Sequence, residues 1–141
     1  MSDRHVELAR RAYAAFGRGD IPGALRYMHP EIEWRTSEQF ARGGRVFRGH
    51  EGVRHLLELF DEALADFRTE PLRFIDADDA VVVPVRITGH TRGGGEQVEI
   101  DLVQVWQIAD DRATRLDVYA TFAEACSAVG IGVPEESSAS A

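Results

Sequence analysis

Arg86 lies in the middle of "VVVPVRITGH" (residues 81–90), a run whose alternation reads as a β-strand. If Val81, Val83, Val85 and Ile87 share one face, then Val82, Pro84, Arg86, Thr88 and His90 share the other. Turned into an apolar cavity, Arg86 would bring a permanent cation able to hold a carboxylate or to stabilise charge developing on an enolate oxygen. Turned outward, it is a solvated side chain, as arginine usually is. Gln104 poses the same question on the neighbouring strand, where Val98, Ile100, Leu102, Gln104, Trp106 and Ile108 form one face and Gln104 is its only polar member. Its amide would either donate to a ligand carbonyl or be satisfied within the core. Trp34 and Trp106 offer flat surfaces that would stack a planar ligand or serve only as packing.

Other chemistries are removed by residue type and spacing. His50 and His55 are five residues apart, not the four that align two ligands on a helix, and Cys126 is the single cysteine, so no metal is expected. "TRGGGE" joins two strands and opens no helix, which makes it a hairpin turn and not a phosphate cradle. All 16 basic residues are arginine. Without lysine there is no Schiff-base chemistry and no Walker-type phosphate lysine. The net charge of −8 is the wrong sign for a phosphate backbone, so nucleic acid is not an expected partner. No apolar run approaches the roughly 18 residues of a membrane span, and "MSDRHVELARR" carries no apolar signal core; the expected location is the cytoplasm.

The elements that must position these residues follow from periodicity. Val6, Leu8, Ala9, Ala12, Tyr13 and Phe16 fall at helical spacing over 3–17, and "GRGD" breaks that helix. Asp20, Pro22 and Pro30 bracket a short second helix. "EIEWRT" alternates as a strand with Ile32, Trp34 and Thr36 on one face, and 37–49 reads as a loop. A third helix over 50–67 has the stripe Val53, Leu56, Leu57, Phe60 and Leu64. Strands over 68–77, 80–90, 97–108 and 113–121, separated by turns, make a four-stranded antiparallel meander, and "FAEACSAVG" closes the domain as a short helix. Helices segregated from a sheet define an α+β fold in one domain, residues 1–131, with 132–141 expected to be a disordered tail.

"YAAFGRGDIPGALRYMHPEIEWRT", "FRGHEGVRHLLELFDEA", "FIDADDAVVVPVRITG" and "LVQVWQIADDRATRLDVYATFAEA" together resemble the SnoaL-like branch of the NTF2-like (nuclear transport factor 2-like) superfamily over about residues 5–131. The resemblance implies a cone-shaped α+β barrel, three N-terminal helices packed on a curved antiparallel sheet, with an apolar pocket between them. It puts Pro84, Arg86 and Thr88 on the inner face, leaving the valines of 81–87 as an outer apolar stripe and so implying a homodimer through the outer sheet face. It also places ketosteroid isomerase-like acid–base positions at Ala12, Thr36 and Gln104. The carboxylates of the epoxide hydrolases fall at Thr88 and Val118, with Arg86 matching the arginine between them, and the cyclase aspartate falls near Val118. None of these carboxylates is present. The nearest substitutes are His50, which begins the third helix as a cap or at the pocket rim, and Glu38. Glu38 lies two residues beyond Thr36, on the same facing if the strand continues, where burial would raise its pKa toward that of a general base; it is otherwise a loop glutamate.

The expected site therefore has Arg86, Gln104, Glu38 and His50 as catalytic residues. The ligand would be bound by Trp34, Thr36, Thr88, Trp106, Val118, Leu57, Phe60 and Phe16. The expected activity is that of a cofactor-free cyclase, isomerase or dehydratase acting on an apolar, carbonyl-containing, polyketide-like molecule. The alternative is a non-catalytic ligand-binding or accessory protein with the same pocket.

Overall fold

Helix α1 (Ser2–Gly17) buries Leu8, Ala9, Ala12 and Tyr13 of the apolar stripe read from the sequence, together with Ala15, while Val6 and Phe16 pack half-buried. These elements come from a computed structural model that describes residues 2–36, 45–77 and 79–131. Glu38 and the segment 132–141 lie outside the described residues. At "GRGD", Gly19 takes a positive φ and Asp20 caps α2 (Ile21–Leu25) by accepting from the Gly23 N–H at 3.0 Å. That helix is shorter than expected, because β1 (Met28–Thr36) begins before Pro30 and runs through it. A strand, β2 (Arg45–Arg48), also stands where part of a loop was expected, pairing antiparallel with the end of β1.

Helix α3 (Gly49–Ala63) stops four residues earlier than its periodicity indicates. The Leu64 N–H bonds back to the Phe60 carbonyl, and the chain passes directly into β3 (Leu64–Pro71). Phe67 thus belongs to a strand, yet its ring still stacks on Phe60, with centroids 5.7 Å apart. β4 (Ile75–Ala77), β5 (Ala80–Thr91), β6 (Gln97–Ala109) and β7 (Arg112–Tyr119) complete the sheet, followed by α4 (Phe122–Ala128). The β6–β7 connection is a two-residue turn with positive φ at both Asp110 and Asp111, the mirror-type turn that suits the twist of a hairpin.

The strand order is β2-β1-β7-β6-β5-β3, with β4 also on β5, in one curved, unclosed sheet. The fold is α+β as expected, but the sheet is mixed: β1 runs parallel to β7. Helices α1, α2 and α3 cover the inner face and α4 the outer one. No helix among the described residues is long and apolar enough to cross a membrane.

The facing of β5 corrects the register that the resemblance implied. Val81, Val83, Val85 and Ile87 are buried in the main core with Leu102, Trp106, Leu116 and Val118, so Pro84, Arg86 and Thr88 lie on the outer face. Burial of one large aliphatic side chain contributes roughly 1.5–3 kcal/mol, and an arginine exchanged into that row would also need a partner. The valine stripe that implied a homodimer is therefore interior, and the outer apolar patch of Ala80, Val82, Val103 and Val105 packs with Ala125 of α4.

The sheet bends where β3 bulges. Asp66, with φ of 55°, and Phe67 sit between the pairs Ala65–His90 and Arg68–Thr88, opposite Gly89. A Cβ at Gly89 would lie 3.1 Å from the Ala65 carbonyl oxygen and 3.1 Å from the Leu64 Cβ. Gly89→Val is expected to destabilise the fold by about 1–3 kcal/mol, read by denaturant unfolding. An unchanged midpoint would mean that the bulge yields freely.

Candidate functional site

The inner face of β6 delivers Gln104 and Trp106 two residues apart into the core, beneath α1. Both are buried, and both reach Tyr13. The Trp106 indole N–H donates to the Tyr13 hydroxyl at 2.9 Å, and that hydroxyl in turn donates to the Gln104 amide oxygen. The Tyr13 ring is held from two sides, edge-on against Phe74 at 5.8 Å and tilted against Trp106 at 5.3 Å. Burial pushes the Tyr13 phenol well above the usual tyrosine range, opposed only in part by the Trp106 N–H. Tyr13 is a neutral donor here, with no access to the phenolate near neutral pH.

This chain of bonds ends at the Gln104 carbonyl. Among the described residues none accepts from the Gln104 amide nitrogen, and that nitrogen is not among the fully enclosed unpartnered atoms, of which Arg35 Nε is the one found there. Around the cluster the inner face is aliphatic and aromatic: Trp34 of β1 pairs beside Leu116, Gln104 sits between Val83 and Val118, and Phe16, Leu57 and Phe60 pack on the same core half-buried. That face is apolar throughout these positions, with Gln104 its one buried polar side chain besides the Tyr13 and Trp106 groups it joins.

The structure brings Trp106, Trp34, Val118, Phe16, Leu57 and Phe60 into one core, with Gln104 buried on the same face of β6. It separates the others. The Arg86 side chain is 38% exposed on the outer face, bonded to Asp101 at 2.9 Å with Glu99 at 3.8 Å. The bond to Asp101, with the surrounding carboxylates, holds this guanidinium even more firmly charged. Thr88 shares that face, paired with Glu99 and Arg68. Thr36, at the end of β1, accepts from the Arg45 backbone N–H at 3.1 Å, so its hydroxyl ties β1 to β2. His50 stands in the first turn of α3 and its Nε2 meets the Met28 carbonyl at 3.0 Å, fastening the helix start to β1. Glu38 lies outside the described residues.

Tyr13 is the residue that sequence reasoning passed over. The resemblance pointed to Ala12, which is fully buried and apolar, while its neighbour carries the hydroxyl. A signal was available: a tyrosine in the apolar stripe of one element and a lone glutamine on the apolar face of another each require an interior partner.

The raised phenol pKa fixes the sign of an alkaline effect. Below about pH 10 both folded and unfolded chains keep the Tyr13 proton; above it only the unfolded chain releases it, so stability falls, by about 1.4 kcal/mol per pH unit for one such group. Tyr13→Phe is expected to flatten the fall in unfolding free energy between pH 10 and pH 11. Burial raises Tyr119 and Cys126 as well, so part of the slope remains. An identical slope in the variant would place the Tyr13 hydroxyl in water.

Residues 9–116 match the SnoaL-like domain. No curated protein matches the chain. Among solved structures, TerC co-crystallised with polyporic acid is 29% identical, with a TM-score of 0.74 over 90% of this chain and 98% of that one. An NTF2-like protein of unknown function from Burkholderia pseudomallei is 23% identical, with a TM-score of 0.73 over 89% of this chain and 97% of that one. A protein assigned to the SnoaL-like polyketide cyclases from Jannaschia sp. CCS1 is 18% identical, with a TM-score of 0.71 over 90% and 92%.

Proposed function

The chain belongs to the SnoaL-like domain family, and from that premise we propose that it binds a small, largely apolar, carbonyl-bearing organic molecule of polyketide-like kind between the inner sheet face and α1 and α3. The observation that carries the reading is Gln104, a buried amide whose oxygen is engaged by Tyr13 and whose N–H donors face no described acceptor. A ligand carbonyl at those donors would be oriented and polarised, and Trp34 and Trp106 would lie along its flat apolar part. TerC, 29% identical, was crystallised with polyporic acid, a hydroxyquinone with ring carbonyls, and that compound is the natural first probe.

Chemistry beyond polarisation needs a group that moves a proton. A cofactor-free cyclase, isomerase or dehydratase remains the catalytic form of the proposal, with Glu38 as the general base. It is favoured by the facing of β1: Trp34 lies on the inner face, Thr36 follows at the same parity, and Glu38 is two residues further along the chain. The accessory-protein form keeps the binding and omits the proton transfer. Arg86 takes part in neither, because its guanidinium is on the other side of the sheet.

Both tryptophans lie in the interior, so binding of polyporic acid is expected to quench the intrinsic fluorescence. Gln104→Leu is expected to weaken that binding about tenfold, the equivalent of one buried hydrogen bond. Equal affinity in wild type and variant would remove Gln104 from the site. Turnover lost in Glu38→Gln with binding retained would favour the enzyme; turnover that persists would rule out Glu38 as the base.

A homodimer through the outer sheet face is a separate part of the proposal. That face offers Arg86, Asp101 and Glu99, and Arg115 donating to both oxygens of the buried Asp117, in place of an exposed valine stripe. A dimer held by such groups is expected to weaken as salt screens them, a change that sedimentation at low and high ionic strength would read. A dimer indifferent to salt would contradict a charge-paired interface.

A further inference from the structure

We propose that Tyr13 and Trp106 lock the orientation of the Gln104 amide, so that the ligand-facing end of this side chain is purely a hydrogen-bond donor and the site prefers the carbonyl form of its ligand over the corresponding hydroxyl form. This rests on the reading that Gln104 meets the ligand.

The argument is one of donor and acceptor supply. An indole N–H can only donate, so the Tyr13 oxygen that lies 2.9 Å from it must accept. The phenol proton then needs an acceptor of its own, and the Gln104 carbonyl provides it. Turning the amide over would set its N–H2 group against an oxygen that already accepts. The phenol proton and the amide carbonyl would then lack partners in the core, an arrangement that costs the desolvation of both. The phenol has little freedom to escape, since Phe74 and Trp106 hold its ring. With its proton retained, Tyr13 cannot become an acceptor only, and the direction of the chain from Trp106 through Tyr13 to Gln104 is fixed.

Two consequences reach the ligand. Donation to the Gln104 carbonyl polarises the amide and strengthens its remaining N–H donors. A carbonyl oxygen can accept these donors with nothing left over. A hydroxyl in the same place must also deliver a proton, and the fixed end of Gln104 presents no acceptor for it. Tyr13 and Trp106 are thus positioning residues that select, through Gln104, the carbonyl form of the ligand over its hydroxyl form.

The test compares polyporic acid with its dithionite-reduced hydroquinone form under anaerobic conditions, read by tryptophan quenching and, for the coloured quinone, by absorbance. Wild type is expected to favour the quinone by about tenfold, and Tyr13→Phe and Trp106→Phe are each expected to bring the two affinities within about threefold, because the freed amide can turn either way. Retention of the wild-type preference in both variants would overturn the inference. Failure of wild type to bind either form would instead count against the proposed ligand. The amide orientation is then decided without ligand, by NMR of glutamine-labelled protein. The expected result is a Gln104 side-chain N–H2 group with no contact to the Tyr13 hydroxyl edge in wild type, and a doubled or averaged signal in Tyr13→Phe. Amide protons found against the Tyr13 oxygen in wild type would overturn the inference whatever the ligand does.

Discussion

Four aliphatic side chains on β5 determine the facing of the rest of the sheet. Val81, Val83, Val85 and Ile87 are buried together, and strand pairing carries their choice of face outward: Val83 stands opposite Gln104, and Gln104 opposite Val118. Side chains on a pleated strand alternate strictly, so a slip of one residue would exchange the whole row for Pro84, Arg86 and Thr88. Four hydrophobic burials, each of roughly 1.5–3 kcal/mol, stand against one arginine that finds carboxylates outside. From that contest follow the interior position of Gln104 and the exterior position of Arg86.

The interior holds few polar side chains, and those of Tyr13, Trp106 and Gln104 are joined to one another, with the Gln104 amide nitrogen left over. Tyr13, Trp106 and Gln104 place three polar groups in an otherwise apolar core of aliphatic and aromatic side chains, and each contact between them joins a donor to an acceptor. The outer face follows a different rule. There Arg86 with Asp101, Arg115 with Asp117, and Glu33 between Arg35 and Arg48 form cross-strand and neighbouring pairs in partial contact with water, and the pairing with Arg35 and Arg48 holds Glu33 below the usual carboxylate range. The inner face thus carries a directed bond chain in an apolar core, while the outer face combines ion pairs with the apolar patch that α4 covers.

Much of this was legible in the sequence. The apolar stripe of α1, the break at "GRGD", the parity of β6 and the turn at Asp110–Asp111 are local patterns, and local patterns survive folding. The alternation of 81–87, taken alone, also reads most simply with the valines inside; the family register displaced it and was corrected by the structure. What could not be read locally depends on distant partners. The parallel pairing of β1 with β7, the early end of α3 at Ala63, and the bond from Tyr13 to Gln104 across 91 positions each need a tertiary contact to exist. Gln104 alone showed that a partner was required, without showing which helix would supply it.

The parallel seam between β1 and β7 also gives the chain a history in time. Trp34 comes to lie beside Leu116, so β1 and its companion β2 wait for a strand made about 80 residues later. At a synthesis rate of roughly 5–20 residues per second, the first two strands spend several seconds with one open side. Their closing contact is among the longest-range in the molecule, and long-range strand pairing is what slows folding. The meander from β5 to β7 can assemble from neighbours in the chain, but the half of the sheet carrying Trp34 cannot. A ribosome-bound fragment ending before β7 is therefore an incomplete sheet with a sticky edge, and the last strand made is the one that seals the first.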